Sequence, residues 1–332
     1  MKRTWICVLG LLLVMLTGCQ GKTEVPKDEK TGITESAKAD DNPFDLEAIE
    51  KSGQIIEASY GWVVGNYDPS IRRIDLAAES SANLKMEISC HDTCEVGYLI
   101  LIDGIPQKYC IGEEEGYVIP VNCEAGDSYT NLQFTPTVQE MGEEHTMNFV
   151  CLYHPSFRTS EEEPYYGNYH SMSQLLPWKI SGEVFNTETA ISKNVTYQSI
   201  SEEIKEQYVR VNRDGTMIKQ YENLLHSKFY QNGTEAEQLD GTENIQLVMF
   251  GGEECSYRVS LFVNHQPVEV FSGAKYVDVT MKDEQMAIVN LDFSKVLYSD
   301  YSCVYVIMCP LDSVASDADR LVEKTESITL FR

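Results

Sequence analysis

The sequence predicts an all-β protein made of two tandem immunoglobulin-like antiparallel β-sandwiches, with one short N-terminal helix. Two observations predict this fold. Apolar residues alternate with polar ones at a period of two, as in Leu84, Met86, Ile88 and Cys90, which is the period of a strand with one buried face. Two long stretches of the chain also resemble each other, and helical patterns are sparse.

The resemblance between the two stretches predicts an internal repeat. Residues 83–88 align with residues 244–249, and at the same offset Cys94 falls on Cys255. The order of the matches, and the placement of the gaps in turns, favour a tandem duplication over chance similarity between two β-rich stretches. We therefore expect sandwich domains at 42–186 and 187–332. The later matches pair 100–106 with 261–267, 117–118 with 276–277, 131–134 with 290–293 and 149–155 with 304–310.

Turn and cap signals predict the boundaries of the elements. Asp103-Gly104 and Gly251-Gly252 are typical of tight turns between short strands. The closing strands are predicted at 178–185 and 327–331. The N-terminal helix is predicted over 42–53, where an Asn-Pro start and a final Gly are typical helix boundaries. A further turn or two of helix is predicted at 201–208.

The first residues have the pattern of an export signal. Lys2 and Arg3 precede an apolar run over 5–16, which is too short to cross a bilayer as a helix. The sequence Leu16-Thr17-Gly18-Cys19 resembles the lipobox of bacterial lipoproteins. The resemblance implies cleavage before Cys19, so that residues 1–18 are the signal peptide, and a diacylglyceryl group on the Cys19 sulfur. The alternative is an ordinary signal peptide with an incidental cysteine.

A lipid on Cys19 predicts an extracytoplasmic protein bound to the membrane through that anchor. Residues 19–41 are polar and have too few apolar side chains to build a core, so we expect a disordered tether. The outer leaflet of the plasma membrane is the favoured location, and the outer membrane of a double-membrane bacterium is the alternative.

The net charge excludes nucleic acid as a partner. The chain has 26 Lys and Arg residues against 52 Asp and Glu residues, which gives a formal charge of −26 at pH 7. Such a protein is repelled by phosphate backbones.

The cysteines predict neither a disulfide framework nor a metal centre. Cys90, Cys94, Cys110, Cys123 and Cys151 lie in the first repeat, whereas the second has three, and few positions coincide. We therefore expect mostly free, buried thiols that pack as small apolar groups, with a Cys90–Cys94 disulfide as the alternative for that pair.

A zinc site at Cys90, His91 and Cys94 lacks a fourth ligand nearby and has no counterpart at Cys255. We therefore expect no metal and no cofactor.

Catalytic motifs are also missing from the sequence. The chain has no Gly-x-Ser-x-Gly elbow, no His-Glu-x-x-His and no phosphate-binding glycine loop. Cys151 and His154 form a thiol–imidazole pairing that is not repeated in the second stretch. We expect the protein not to be an enzyme.

A tyrosine-rich segment is the candidate ligand site. Tyr, Asn, Gly and Ser make adaptable contact surfaces, so the predicted ligand contacts are Tyr165, Tyr166, Asn168, Tyr169 and Trp178. The alternative is that these aromatic side chains pack between the two sandwiches. The sequence predicts a binding or adhesion module for a glycan or another envelope protein. A structural or assembly component of an envelope complex is the alternative function.

Overall fold

The computed structural model describes residues 61–76, 81–142, 144–183, 185–188, 190–213, 215–252, 254–311 and 321–332. The predicted signal peptide, Cys19, the tether and the predicted helix at 42–53 lie outside the described residues. The described chain consists of short strands, turns and two short helices, which confirms the mostly β prediction. These residues belong to one compact unit. No helix among them is long and apolar enough to span a membrane.

The first half of the described chain forms two sheets, and we call the pair the first sandwich. One sheet has the strand order β1-β3-β9-β6-β7, and the facing sheet has the order β2-β13-β11-β4-β5, with β8 and β12 at its margins. The strands are β1 (Gly61–Val64), β2 (Arg73–Asp75), β3 (Ala82–Cys90), β4 (Cys94–Ile102), β5 (Ile105–Pro106), β6 (Tyr109–Ile111), β7 (Glu114–Gly116), β8 (Val121–Cys123), β9 (Gly126–Phe134), β10 (Thr137–Val138), β11 (His145–Tyr153), β12 (Met172–Gln174), β13 (Trp178–Ser181) and β14 (Asn186–Thr187).

Alternating side chains bury the inner faces of these sheets. Leu84, Met86, Ile88 and Cys90 on β3 point into one core together with side chains of the facing sheet, so the predicted face of this strand is confirmed. The neighbours β1-β3-β9-β6 and β13-β11-β4 have the strand order of the ABED and GFC sheets of an immunoglobulin sandwich.

The second half forms another two-sheet arrangement, the second sandwich. Its sheets have the orders β16-β26-β22-β19-β20 and β15-β25-β23-β27-β29-β21. Its elements are β15 (Ile191–Ser192), β16 (Thr196–Ser199), α1 (Glu202–Gln207), β17 (Val209–Val211), β18 (Met217–Lys219), α2 (Gln220–Asn223), β19 (Leu225–Gln231), β20 (Thr234–Glu235), β21 (Gln238–Asp240), β22 (Ile245–Gly251), β23 (Ser256–Val263), β24 (Gln266–Pro267), β25 (Tyr276–Thr280), β26 (Gln285–Leu291), β27 (Ser302–Pro310), β28 (Glu323–Lys324) and β29 (Ile328–Phe331).

The same strand pairings occur in both sandwiches. The antiparallel pairs β3·β9 and β4·β11 correspond to β22·β26 and β23·β27. The parallel pair β2·β13 corresponds to β21·β29. The two sandwiches differ in one edge strand. In the second sandwich β16 pairs with β26, whereas in the first sandwich β6 pairs with the corresponding strand β9. A duplication as the origin of this pattern stays a prediction.

The two sandwiches are joined through a shared apolar layer. The central strands β4, β11, β23 and β27 are buried on both faces. One face of each strand fills its own sandwich core, and the other face packs against the opposite sandwich. We call this second layer the sandwich joint, and its buried members are Leu99, Leu101, Val118, Val150, Leu152, Tyr166, Phe262, Cys303, Tyr305, Ile307, Cys309 and Val322.

Polar side chains also cross the sandwich joint. Arg258 on β23 is 2% exposed and forms a two-point ion pair with Asp278, with N···O distances of 2.9 and 3.0 Å. The same guanidinium donates to the Asp103 carbonyl at 2.9 Å and to Gln139 in the first sandwich. Buried His265 contacts the Tyr305 hydroxyl and the Pro155 carbonyl at 3.0 and 2.6 Å. The joint therefore has directional contacts as well as apolar ones.

Candidate functional site

The tyrosine-rich segment lies between β11 and β12 and is divided by burial. Tyr165 is 60% exposed and Asn168 is also exposed, so both side chains reach the surface. Tyr169 is half-buried because its ring stacks on Phe157, with ring centroids 3.7 Å apart.

Tyr166 and Trp178, two of the predicted ligand contacts, are buried, although Tyr166 also lines the cleft beside Tyr165. Tyr166 is 3% exposed and packs in the sandwich joint, edge-on to Phe157. Trp178 is 2% exposed and lies in the core of the first sandwich, edge-on to Phe149. The alternative, packing between the sandwiches, is correct for Tyr166. Trp178 packs within one sandwich instead, because the alternation along β13 turns it inward.

Beside Tyr165 lies a cleft between the tyrosine-rich segment and the second sandwich. Its volume is about 560 Å³, which is in the range of small-molecule sites. Tyr165 and Gly167 form one wall, and Lys228 of β19 and Glu235 of β20 form the other. We call this space the Tyr165 cleft. The second wall could not be identified from local sequence, because it lies some 60 residues further along the chain.

Charges of both signs line the Tyr165 cleft. The Lys228 ammonium lies 3.0 Å from the Glu235 carboxylate. Burial alone lowers the pKa of Lys228, but the hydrogen bond and charge of Glu235 outweigh it and raise the pKa. Glu237 and Glu326 add further carboxylates to the lining. The cleft therefore offers charged donors and acceptors beside one exposed aromatic ring.

A half-buried lysine, Lys324, also lines the cleft. The Lys324 ammonium donates to the Thr325 carbonyl at 2.9 Å and the Ser327 hydroxyl at 3.1 Å, and it lies 4.8 Å from the centre of the Tyr305 ring. Burial lowers the pKa of Lys324 to about 8. The contact with the Tyr305 ring links this lysine to the sandwich joint.

A thiol–imidazole pair lies behind the cleft. His170 Nδ1 lies 3.2 Å from the Cys303 sulfur and 3.2 Å from the Ser327 hydroxyl. A catalytic cysteine requires a thiolate, which a neighbouring imidazolium stabilises. Here burial opposes both charges, since it lowers the pKa of His170 to about 2 and raises that of Cys303. The pair therefore acts as a neutral packing contact.

The Cys151–His154 pairing is not an activated nucleophile either. Cys151 is fully buried in the core of the first sandwich, and burial raises the pKa of its thiol. A protonated thiol in a closed core has no route to a substrate.

Three cysteines meet at one end of the first sandwich. The sulfurs of Cys90, Cys94 and Cys123 lie within 4.8 Å of one another, and the three residues are buried. His91, which the sequence offered as a zinc ligand with Cys90 and Cys94, is exposed on the turn. The third residue of the group is Cys123 instead. The prediction that the cysteines are mostly buried is confirmed, with Cys110 intermediate.

No family model and no curated protein sequence matches the chain. Among similar solved structures is the chaperone–tip adhesion subunit complex of archaic chaperone–usher pili from Acinetobacter baumannii, at 13% identity, 78% coverage of this chain, 95% of that chain and a TM-score of 0.18. A protein of unknown function from Porphyromonas gingivalis W83 has 8% identity, 79% and 96% coverage and a TM-score of 0.20. Tandem immunoglobulin domains of titin have 7% identity, 78% and 91% coverage and a TM-score of 0.16. Identities and TM-scores this low carry no argument about function. The fold is defined by the strand pairings of the two sandwiches.

Proposed function

We propose that the protein is a lipid-anchored extracytoplasmic binding module that recognises a glycan in the Tyr165 cleft. The observation that carries the proposal is the 60% exposed ring of Tyr165 at the edge of a cleft of about 560 Å³. The lipobox resemblance at Cys19 supports the anchor, and the polar residues 19–41 supply the tether.

The chemistry of the cleft favours a saccharide over other ligands. A sugar ring has an apolar face that packs on an aromatic ring, and hydroxyl groups that pair with carboxylates and ammonium groups. Tyr165, Glu237 and Lys228 provide these groups around one space. The net charge of −26 disfavours polyanionic ligands.

A glycan screen with the detergent-extracted protein tests this proposal. Tyr165→Ala should weaken binding of any selected saccharide by about 5- to 30-fold, since loss of one stacking contact costs about 1–2 kcal/mol. The melting temperature should not change, because the ring is largely exposed.

Tyr129→Ala is the matched control. Tyr129 is 68% exposed on β9 of the first sandwich, so its removal should leave binding intact. Equal binding by the wild type and Tyr165→Ala would contradict the proposal.

A second candidate function, a structural or assembly component of an envelope complex, rests on a different surface. In the hairpin β17–β18, Val211 pairs with Met217, and these two side chains are 66% and 64% exposed, with Ile218 at 39%. Paired apolar side chains on an exposed hairpin are typical of a protein contact.

Co-purification of partner proteins tests the second candidate. If the hairpin binds a subunit, Val211→Ser with Met217→Ser should abolish recovery of that subunit. Leu297→Ser, at a side chain that is 96% exposed elsewhere in the second sandwich, should not. Recovery of the same subunit with both variants would contradict assembly through the hairpin.

A further inference from the structure

Strand register brings three cysteines together from separate parts of the chain. Cys90 ends β3 and Cys94 begins β4, so the exposed turn 91–93 connects them. The antiparallel pairing of β4 with β8 sets Cys94 directly opposite Cys123. The Cys90 and Cys94 sulfurs are 2.9 Å apart, and the three sulfurs lie within 4.8 Å of one another.

The sulfur separations, 2.9 Å for the shortest and 4.8 Å as the upper limit, lie on either side of the spacing of thiolates around one metal ion. Zn–S bonds of about 2.3 Å in tetrahedral geometry separate two ligand sulfurs by about 3.8 Å. Small side-chain rotations would therefore be enough to place all three sulfurs on an ion. The spacing of Cys90 and Cys94 along the chain also falls within the C-x₂₋₄-C range of structural zinc sites.

Neither apolar packing nor a disulfide explains the presence of all three sulfurs as well as a bound metal ion does. Cys255, which directly precedes β23, aligns with Cys94, and Gly251 aligns with Cys90, so the second sandwich folds without a group of sulfurs at this place. A Cys90–Cys94 disulfide would leave Cys123 without a role. A metal ion uses all three sulfurs.

We propose that Cys90, Cys94 and Cys123 bind one soft d¹⁰ cation, Zn²⁺ or Cu⁺, beneath the turn 91–93. Thiolate donors select such ions over Mg²⁺ or Ca²⁺. The ion fastens the β3–β4 turn to the end of β8. This site is independent of the Tyr165 cleft, at which none of the three cysteines is a lining residue.

Metal titration of the purified, reduced full-length protein tests the site. Zn²⁺ and, under anaerobic conditions, Cu⁺ are titrated separately against chromophoric chelators, and the ion that binds at one equivalent is the one selected. Each of Cys90→Ser, Cys94→Ser and Cys123→Ser should weaken that binding by about ten-fold or more, since loss of even an outer-shell partner costs that much. Cys255→Ser is the matched control and should bind as the wild type does.

Two readouts on the wild type do not depend on the folding of variants. Titration with Cd²⁺ should produce thiolate-to-metal charge-transfer absorption that saturates at one equivalent. In weak buffer, Zn²⁺ binding should release close to one proton per thiol. Absence of both signals, or unchanged binding by all three serine variants, would overturn the proposal. Isolation of unreduced, metal-free protein with a disulfide between two of the three cysteines would overturn it as well.

Discussion

Arg258 is a buried charge that both sandwiches share, and its contacts show how individual residues hold the joint. It pairs with Asp278 in its own sandwich and donates to Asp103 and Gln139 in the other. Burial of a charge is tolerated when its hydrogen bonds are satisfied. Loss of one partner of Arg258 should therefore lower the free energy of unfolding more than loss of an ion-pair partner at the surface does.

Asp278→Ala should lower the free energy of unfolding by about 2–3 kcal/mol, because it leaves the guanidinium of Arg258 buried with fewer partners. Urea denaturation measures the change. Arg73→Ala removes an ion pair with Glu144 in which the side chains are 48% and 37% exposed, and it should cost less than about 1 kcal/mol. Equal costs for both variants would contradict a role for Arg258 in the joint.

The buried His265 predicts a loss of stability in acid. Burial lowers its folded pKa to about 4, so below the ordinary value of 6.5 the unfolded chain binds a proton that the folded chain does not. Its contribution is present above pH 6.5 and falls as the pH drops towards 4. The loss at pH 5 is about 2 kcal/mol.

Comparison with His265→Gln isolates this effect from titration of the many carboxylates. Between pH 7.5 and pH 5, urea denaturation should show a loss of stability in the wild type that is about 2 kcal/mol greater than in the variant. His91→Gln, at an exposed histidine, should behave as the wild type does. Identical pH profiles for wild type and His265→Gln would refute this prediction.

At the scale of elements, the turn of the β4–β5 hairpin also forms part of the contact between the two sandwiches. Asp103 and Gly104 have φ angles of +47° and +76°, as tight hairpin turns require, which confirms the turn predicted at this dipeptide. A Cβ on Gly104 would come within 2.7 Å of the Arg258 side chain. The glycine therefore allows both the turn and the close approach of the second sandwich.

Gly104→Ala should lower the free energy of unfolding by about 2–3 kcal/mol, from backbone strain and from displacement of Arg258. Gly112→Ala is the matched control, since Gly112 has a φ of +61° but no atom within 4 Å of the added Cβ. It should cost only the backbone contribution of about 1 kcal/mol. Equal melting temperatures for the two variants would contradict the contact with Arg258.

Strand periodicity predicted some elements well and missed the second buried face of others. Alternation on β3 identified its inner face correctly, because one side of that strand faces solvent. β4 contains the continuous apolar run 98–102, which is typical of a strand buried on both faces. That run therefore indicates the second buried face of β4, which forms part of the sandwich joint.

Tertiary contacts explain the other differences between the predicted and observed sites. Local composition predicted Tyr165 as a ligand contact, but Lys228 and Glu235 line the same cleft only through packing of the second sandwich. Likewise, Cys123 joins Cys90 and Cys94 through the β4–β8 register, which local spacing does not specify.

At the scale of the whole molecule, the sandwich joint should make the two sandwiches unfold together. Their facing sheets share a continuous buried layer, so neither can unfold without exposing apolar surface on the other. Calorimetry of the wild type should show one transition. Leu101→Asp places a charge in the joint and should separate two transitions, whereas Tyr129→Phe on an outer face should keep one. Two transitions in the wild type would contradict this coupling.

The binding function is tested most directly by hydrogen–deuterium exchange of the detergent-extracted protein, with and without the saccharide selected by the glycan screen. A ligand in the Tyr165 cleft contacts both walls, so slowed exchange should appear together in residues 161–170 and 225–237. No selected saccharide, or protection confined to the β17–β18 hairpin at 209–219, would contradict a glycan site in the cleft.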